Sequence, residues 1–268
     1  MAEQLGNIPE LSDGFDAIGL SQGMQTLSLL SGSLLRSSSS GGQFLRGYVE
    51  RYNDPPVNNL VTFGSQHMGI SDIPVCARYD FLCQAARRVA RGAVYSNWAQ
   101  TNLVQVRFSS SSCSCECADK EFPQAQYFRD PHNYETYLAT NNFLVSINNE
   151  RPDLHNSTFA RNLASLNKLV LVLFSEDKTV VPKESAWFGS EAISEDAARQ
   201  GSSDQALLLG EDKVIIPMRQ QPLYLEDWIG LRRLDVRGDV IFEVCEGEHM
   251  QIGDCWEHLV RKFAGGRL

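Results

Sequence analysis

The sequence predicts an α/β domain built around a mostly parallel sheet. Short apolar segments typical of strands alternate with segments of helical periodicity. The segment 169–174, Leu-Val-Leu-Val-Leu-Phe, is continuously apolar, as a parallel strand buried on both faces is. The 268 residues are 43% apolar and 21% charged, which is enough apolar material for a core. We therefore expect one domain over residues 1–268.

Four strands and four helices follow from the patterning. The strands are predicted at 15–19, 59–64, 169–174 and 239–244, and the helices at 43–52, 80–95, 159–167 and 255–264. Three stretches interrupt this order: the serine-rich segments 24–41 and 106–124, and a polar stretch at 190–210 that we expect to be a surface loop.

Charge and hydropathy argue against a nucleic-acid binder and against a membrane-spanning chain. The chain has 24 Lys plus Arg against 33 Asp plus Glu, a net charge of −9, whereas a nucleic-acid binder normally carries a basic excess. No apolar run approaches the roughly 18 residues of a membrane span. The first residues, Met-Ala-Glu-Gln, lack the basic and apolar regions of a signal peptide. We expect neither nucleic acid as a partner nor a membrane span.

A G-x-S-x-G pentapeptide, Gly-Leu-Ser-Gln-Gly at 19–23, directly follows the first predicted strand. A serine on a tight strand-to-helix turn projects its Oγ over the sheet edge, and the flanking glycines let strand and helix approach closely. The backbone N–H of the next residue then faces a developing oxyanion. The pattern predicts Ser21 as a nucleophile and the Gln22 N–H as an oxyanion donor.

A serine nucleophile needs a base and an orienting carboxylate. In α/β-hydrolases these partners follow later strands, in the order Ser, acid, His. Asp177 lies just past the 169–174 strand and His249 just past the 239–244 strand, so order and placement both fit. Glu176 is the alternative acid. His67 also follows a strand, but it precedes the acid in the chain, so we interpret it as a pocket-lining or structural group.

The cysteines do not predict a metal site. The run Cys-Ser-Cys-Glu-Cys at 113–117 lacks structural-zinc spacing. Cys76 and Cys83 could form a small-loop disulfide in an oxidising compartment or be buried thiols in a reducing one. Asn156-Ser157-Thr158 is a glycosylation sequon. We expect no metal and no cofactor.

Several further segments resemble the palmitoyl-protein thioesterases, lysosomal α/β-hydrolases that cleave fatty acyl thioesters from cysteine. Besides the pentapeptide, the matching segments are Gly-Gln-Phe-Leu-Arg at 42–46, Phe-Gly-Ser-Gln-His-Met-Gly at 63–69, Ile-Pro-Val-Cys at 73–76, Ile-Asn-Asn-Glu-Arg-Pro at 147–152, Glu-Ser-Ala-Trp-Phe-Gly at 184–189, Leu-Tyr-Leu-Glu-Asp-Trp-Ile-Gly-Leu at 223–231 and Glu-Gly-Glu-His-Met-Gln at 246–251. They span nearly all of the chain outside the two serine-rich segments.

The resemblance implies an α/β-hydrolase fold and a role for each matched residue. The nucleophile falls on Ser21, the acid on Asp177, the base on His249, an oxyanion donor on the Gln22 backbone, a short disulfide on Cys76 and Cys83, and a glycan on Asn156. The implied partners are S-acylated proteins or peptides and fatty acyl thioesters. The implied location is the lysosome or the secretory pathway.

The chain also departs from the family pattern. The family begins with a signal peptide, a first strand and a His-Gly-rich loop that supplies the second oxyanion N–H, and we expect these N-terminal elements to be missing here. Removing 24–41 or 106–124 restores family-like sequence, so we expect both to be non-native insertions, with genuine loops as the alternative. The competing interpretations of function are another lipid or carboxyl ester hydrolase and an inactive truncated pseudoenzyme. We expect negligible activity from the chain as given.

Overall fold

The computed structural model describes residues 2–21, 26–30, 33–37, 41–72, 126–193 and 213–264. Its strands are β1 (Phe15–Leu20), β2 (Thr26–Leu30), β3 (Ser33–Ser37), β4 (Val57–Phe63), β5 (Lys168–Phe174), β6 (Ser190–Glu191), β7 (Ile215–Ile216) and β8 (Val240–Cys245). Its α-helices are α1 (Ala2–Gly6), α2 (Gly42–Arg51), α3 (Tyr134–Thr140), α4 (Leu144–Ile147), α5 (Ser157–Leu163), α6 (Pro222–Leu225), α7 (Leu231–Val236) and α8 (Cys255–Phe263). Short 3-10 helices lie at Pro9–Leu11, Pro152–Leu154, Lys183–Trp187 and Met218–Gln220.

The main sheet has the strand order β3-β2-β1-β4-β5-β8. β1, β4, β5 and β8 run parallel to one another, with Ile18 opposite Val61 and Val170 opposite Ile241. Helices connect these strands, as parallel pairing requires. The α/β-hydrolase fold is therefore confirmed, and the four predicted strands are its parallel core.

Side chains alternate between two apolar layers along the central strands. Ala17, Leu60 and Leu171 belong to a core cluster that also includes residues of α2, α5 and α7. Val61 and Val170 belong to a second cluster on the opposite face, which includes residues of α8. Burial on both faces is why the predicted strand at 169–174 is apolar at every position.

The serine-rich segment after Ser21 is not only a loop. β2 and β3 form an antiparallel hairpin that extends the sheet beyond β1, with Gly19 opposite Thr26 and Leu27 opposite Arg36. The helix that the pentapeptide predicts still begins beside the sheet, at Gly42. That 24–41 is a non-native insertion stays a prediction.

Other predicted features either differ from the structure or lie outside the residues that it describes. The start of the predicted polar loop at 190–210 is instead a strand, because Ser190 and Glu191 pair with Ile216 and Ile215. The predicted helix 80–95 and the segment 106–124 lie outside the described residues. In the part of the chain that the structure describes, no helix has the length and apolar character needed to cross a bilayer.

Candidate active site

Three predicted site residues meet where parallel strands end. Ser21 directly follows β1, Asp177 lies in the turn after β5, and His249 lies in the loop after β8. The carboxyl ends of parallel strands share one edge of a sheet, and open α/β sheets place their sites outside that edge. The fold therefore brings together side chains that are far apart in sequence.

The three side chains form a continuous hydrogen-bonded chain. Ser21 Oγ lies 2.7 Å from His249 Nε2, and His249 Nδ1 lies 2.6 Å from Asp177 Oδ2. The Asp177 side chain is only 2% exposed and the His249 side chain 13%. An imidazole held between a carboxylate and a hydroxyl can take the hydroxyl proton as the oxygen attacks a carbonyl carbon.

Ser21 occupies a strained turn. Its φ is +46°, in the left-handed region that non-glycine residues rarely adopt. Its N–H donates to Phe63 O at 2.6 Å, and its carbonyl accepts from the Gly42 N–H at 3.1 Å. These bonds tie the residue to β4 and to the start of α2. Strain held by the surrounding structure is typical of functional sites.

The turn after β5 selects between the two candidate acids. Asp177 Oδ1 accepts the backbone N–H groups of Thr179 and Val180 at 2.8 and 2.9 Å, which leaves Oδ2 for His249. The neighbouring Glu176 is exposed. The geometry thus favours Asp177 over Glu176 as the partner of His249.

His67 is a buried group away from this chain of contacts. Its Nε2 lies 3.0 Å from Thr62 Oγ1, and its ring stacks on Phe188 with centroids 4.6 Å apart. Burial, with the nearby Arg46 charge, holds the pKa of His67 well below its usual range. His67 is therefore a neutral structural imidazole.

The remaining predicted site residues are Gln22, Cys76, Cys83 and Asn156. Gln22, Cys76 and Cys83 lie outside the described residues. Asn156 is exposed at the N-cap of α5, where its side-chain oxygen accepts the Thr158 N–H at 3.0 Å. Its exposure is compatible with the sequon, and its glycosylation stays a prediction.

The structure contains a disulfide that the sequence analysis missed. Cys245, at the end of β8, is bonded to Cys255, at the start of α8, with their Cα atoms 5.6 Å apart. The pair flanks the loop that carries His249. The two cysteines lie at the end of the predicted strand 239–244 and at the start of the predicted helix 255–264, but only the packing of these elements brings them together.

A cavity of about 580 Å³ lies between the segment 126–152 and the β6–β7 region. Its apolar wall includes Met68, Leu138, Ile193, Ile216, Leu223 and Trp228. Buried polar groups, including Arg129 and Glu150, form another part of the wall. Among the residues described, no cluster of three or more His, Cys, Asp or Glu side chains could hold a metal ion.

One segment links this cavity to the site. A Cβ built on Gly64 would lie 3.0 Å from His249 Cε1, and Met68, four residues later, lines the cavity. Four residues span at most about 14 Å. The cavity wall therefore begins within roughly that distance of the backbone beside the imidazole.

Comparison with known proteins supplies independent evidence. The family model described as Palmitoyl protein thioesterase matches residues 33–249, a range that includes Asp177 and His249 and begins after Ser21. The chain is 35% identical over 249 residues to Palmitoyl-protein thioesterase 1 of Caenorhabditis elegans, covering 93% of this chain and 65% of the relative. It is 30% identical over 234 residues to Palmitoyl-protein thioesterase 3 of Dictyostelium discoideum, covering 87% and 61%.

A more distant relative is a lysosomal thioesterase of Mus musculus, 24% identical over 203 residues, covering 76% of this chain and 54% of the relative. The chain thus spans between about half and two thirds of the length of these three relatives. The matched range and the identities show that the chain belongs to the palmitoyl-protein thioesterase family.

Proposed function

We propose that this chain is a serine thioesterase that removes long-chain fatty acyl groups from protein cysteines. The observation that carries the proposal is the hydrogen-bonded chain from Asp177 through His249 to Ser21, in a member of the thioesterase family.

The proposed reaction has two steps. His249 Nε2 takes the proton of Ser21 as Oγ attacks the thioester carbonyl, and Asp177 stabilises the imidazolium that forms. The tetrahedral intermediate collapses to an acyl-serine, and the cysteine leaves as a thiol, with its sulfur taking the proton that His249 held, so the imidazole is neutral again. Water, deprotonated by His249, then attacks the acyl-serine, which releases the fatty acid and regenerates the Ser21 hydroxyl.

The oxyanion of both intermediates needs N–H donors. We assign one to the Gln22 backbone, because that residue directly follows the nucleophile in the G-x-S-x-G pentapeptide. The Gly42 N–H already donates to Ser21 O. Removing one oxyanion donor typically costs about 10²–10³ in rate, so the geometry of this turn matters.

We assign the acyl chain to the apolar cavity. The segment 64–68 leads from His249 to the cavity wall at Met68. Leu138, Ile216 and Leu223 offer the apolar lining that a long acyl chain requires, because burial of its methylenes drives binding. This assignment predicts a preference for long acyl chains.

We also propose that the protein acts in the lysosome or the secretory pathway. One relative bears the name lysosomal thioesterase. The Cys245–Cys255 disulfide and the exposed Asn156 sequon suit an oxidising, glycosylating compartment. S-acylated proteins or peptides are the proposed partners.

The function is tested by labelling and turnover together. The purified chain is treated with a fluorophosphonate probe and assayed on palmitoyl-CoA and on a p-nitrophenyl ester. Contrary to the negligible activity expected from the sequence, the continuous contacts from Asp177 through His249 to Ser21 lead us to expect label on Ser21, no label on Ser21→Ala, and faster hydrolysis of the thioester than of the oxygen ester. Labelling that survives Ser21→Ala would show that Ser21 is not the nucleophile. A strong preference for the oxygen ester would favour a carboxyl ester hydrolase.

A further inference from the structure

We propose that the Cys245–Cys255 disulfide is a positioning device for His249. It closes the loop 246–254 and holds the imidazole in register with Ser21. The inference rests on the proposed function, because a displaced imidazole affects turnover only if His249 is the base.

The near half of the loop is held by β5 and the residues after it. The Ser175 N–H donates to Cys245 O at 2.9 Å, and the Glu176 N–H donates to Gly247 O at 2.9 Å. The Gly247 N–H donates to Ser175 Oγ at 3.1 Å. These bonds continue the pairing between β5 and β8, and they stop two residues before His249.

The far half of the loop has weaker anchors. Among the residues that the structure describes, the backbone hydrogen bonds of 250–254 stay within the loop and the first turn of α8. Met250 and Gly253 have φ of +65° and +48°, so the chain turns sharply twice in five residues. Met250 and Ile252 are only partly buried against the core.

The disulfide supplies the missing anchor. Cys245 is 1% exposed and belongs to the same core cluster as Leu259 and Phe263 of α8. β8 is an edge strand in the described sheet, so no further described strand holds this side. The bond to Cys255, ten residues on, therefore fixes the far end of the loop to the strand from which the loop departs.

Small displacements matter at this position. The Ser21 and Asp177 contacts of the imidazole are 2.7 and 2.6 Å long, and both require one ring orientation. A misplacement of about 1 Å can cost about 10²-fold in rate. Opening the loop should therefore lower kcat strongly and change KM little.

The test compares Cys245→Ala/Cys255→Ala with Leu259→Ala. The second variant loosens the packing of α8, because Leu259 is 1% exposed, but it leaves the loop covalently closed. We expect the double variant to lose about tenfold or more in kcat, by the misplacement argument, with KM within about twofold. Leu259→Ala should lose thermal stability and keep its kcat. A double variant with wild-type kcat, or an equal kcat loss in both variants, overturns the proposal.

Amide hydrogen exchange gives a readout that does not need turnover. In the double variant, exchange should accelerate across 248–254, beyond the residues that hydrogen bonds to β5 hold. Protection that persists at 248–251, where the Glu248 N–H donates to Gln251 Oε1 and the Gln251 N–H donates to Glu248 O, overturns the proposal, whatever the activity. Absence of both turnover and Ser21 labelling in the wild-type chain would instead refute the proposed function.

A second route covers a double variant that does not fold. The folded wild-type chain is treated with dithiothreitol, and opening of the disulfide is followed by alkylation of Cys255, which is partly exposed. Exchange across 248–251 is then measured on the alkylated chain. Faster exchange supports the proposal, and unchanged exchange overturns it.

Discussion

Gly19 and Gly42 meet backbone to backbone where β1 passes the start of α2. A Cβ on Gly19 would collide with the Cα and N atoms of Gly42, and a Cβ on Gly42 would collide with Ser65 Oγ. Twenty-three positions apart in sequence, the two glycines set the distance between strand and helix. Because the Gly42 N–H also donates to Ser21 O, this contact fixes the turn that holds the serine.

Replacing Gly42 should therefore damage both stability and reactivity. In Gly42→Ala, the new methyl group would also lie 2.7 Å from Thr62 Cγ2. Overpacking of this kind typically costs about 1–3 kcal/mol, and we expect slower fluorophosphonate labelling of Ser21 as the helix shifts. Urea unfolding and labelling kinetics measure the two effects. Gly6→Ala is the control, since a Cβ there would have no atom within 4 Å apart from its chain neighbours and the backbone of its own helix.

Asp177→Asn should lower kcat by about 10⁴ with little loss of stability, by analogy with the acid of the serine-protease triad. The amide oxygen of the asparagine can still accept the Thr179 and Val180 N–H groups. Its NH2 group then faces His249 Nδ1 in place of Oδ2, so the side chain no longer fixes the imidazole tautomer. Glu176→Gln is the matched control, because Glu176 is exposed. Steady-state kinetics decide between them: a large loss in Glu176→Gln with a near-normal Asp177→Asn would reverse the assignment.

The sequence predicted the parallel core and the meeting of Ser21, Asp177 and His249 because both depend on local patterns. A continuously apolar strand and a residue just beyond its end can be recognised from the order of residues alone. The hairpin β2–β3 was not predicted, since Leu27, Leu29 and Leu35 lie among serines and glycines in a segment that resembles a linker. The Cys245–Cys255 bond was missed because pairing depends on where two elements lie in space.

The cavity assignment predicts a change in chain-length preference. Ile216 lines the cavity, so Ile216→Phe should fill part of it and lower kcat/KM for a palmitoyl thioester by about tenfold, the scale of a small change in an apolar pocket. Hydrolysis of a butanoyl thioester should change little. The same substitution at Val236, which is 75% exposed and outside the cavity wall, is the control. Equal losses for both acyl lengths in Ile216→Phe would place the acyl chain elsewhere.

Glu50 predicts a pH dependence of stability. It is fully buried beside Arg46, and burial raises its pKa from 4.5 to about 8, although the Arg46 and Arg51 charges oppose the shift. Between these two values the folded state holds a proton that the unfolded state releases, so the free energy of unfolding falls as pH rises from 4.5 to 8. Glu50→Gln should show a smaller fall than the wild-type chain.

Urea unfolding at pH 5 and pH 8 measures the difference. Glu135→Gln serves as the control, because Glu135 is exposed on α3 and its removal should leave the pH dependence unchanged. The same fall in Glu50→Gln and in the wild-type chain would show that Glu50 titrates normally.

Deleting 24–41 should preserve the fold and raise thioesterase activity. The deletion joins Gly23 to Gly42 and makes Ser21 and Gly42 the first and fourth residues of a four-residue turn. The bond that closes a β-turn runs from the first C=O to the fourth N–H. That bond already exists between Ser21 O and Gly42 N, at 3.1 Å. Deletion of the hairpin therefore need not move helix α2. Gln22, the proposed oxyanion donor, becomes part of a tight turn.

Thermal unfolding, Ser21 labelling and palmitoyl thioester hydrolysis are compared for the full chain, the chain without 24–41 and the chain without 106–124. The first deletion should increase turnover, because it places Gln22 in a tight turn next to Ser21, and one oxyanion donor is worth about 10²–10³ in rate. The second should mainly alter folding yield. Equal turnover with and without 24–41 would identify β2–β3 as a tolerated natural hairpin. A shortened chain that fails to fold would mean that the hairpin protects the β1 edge, whose backbone groups it now pairs.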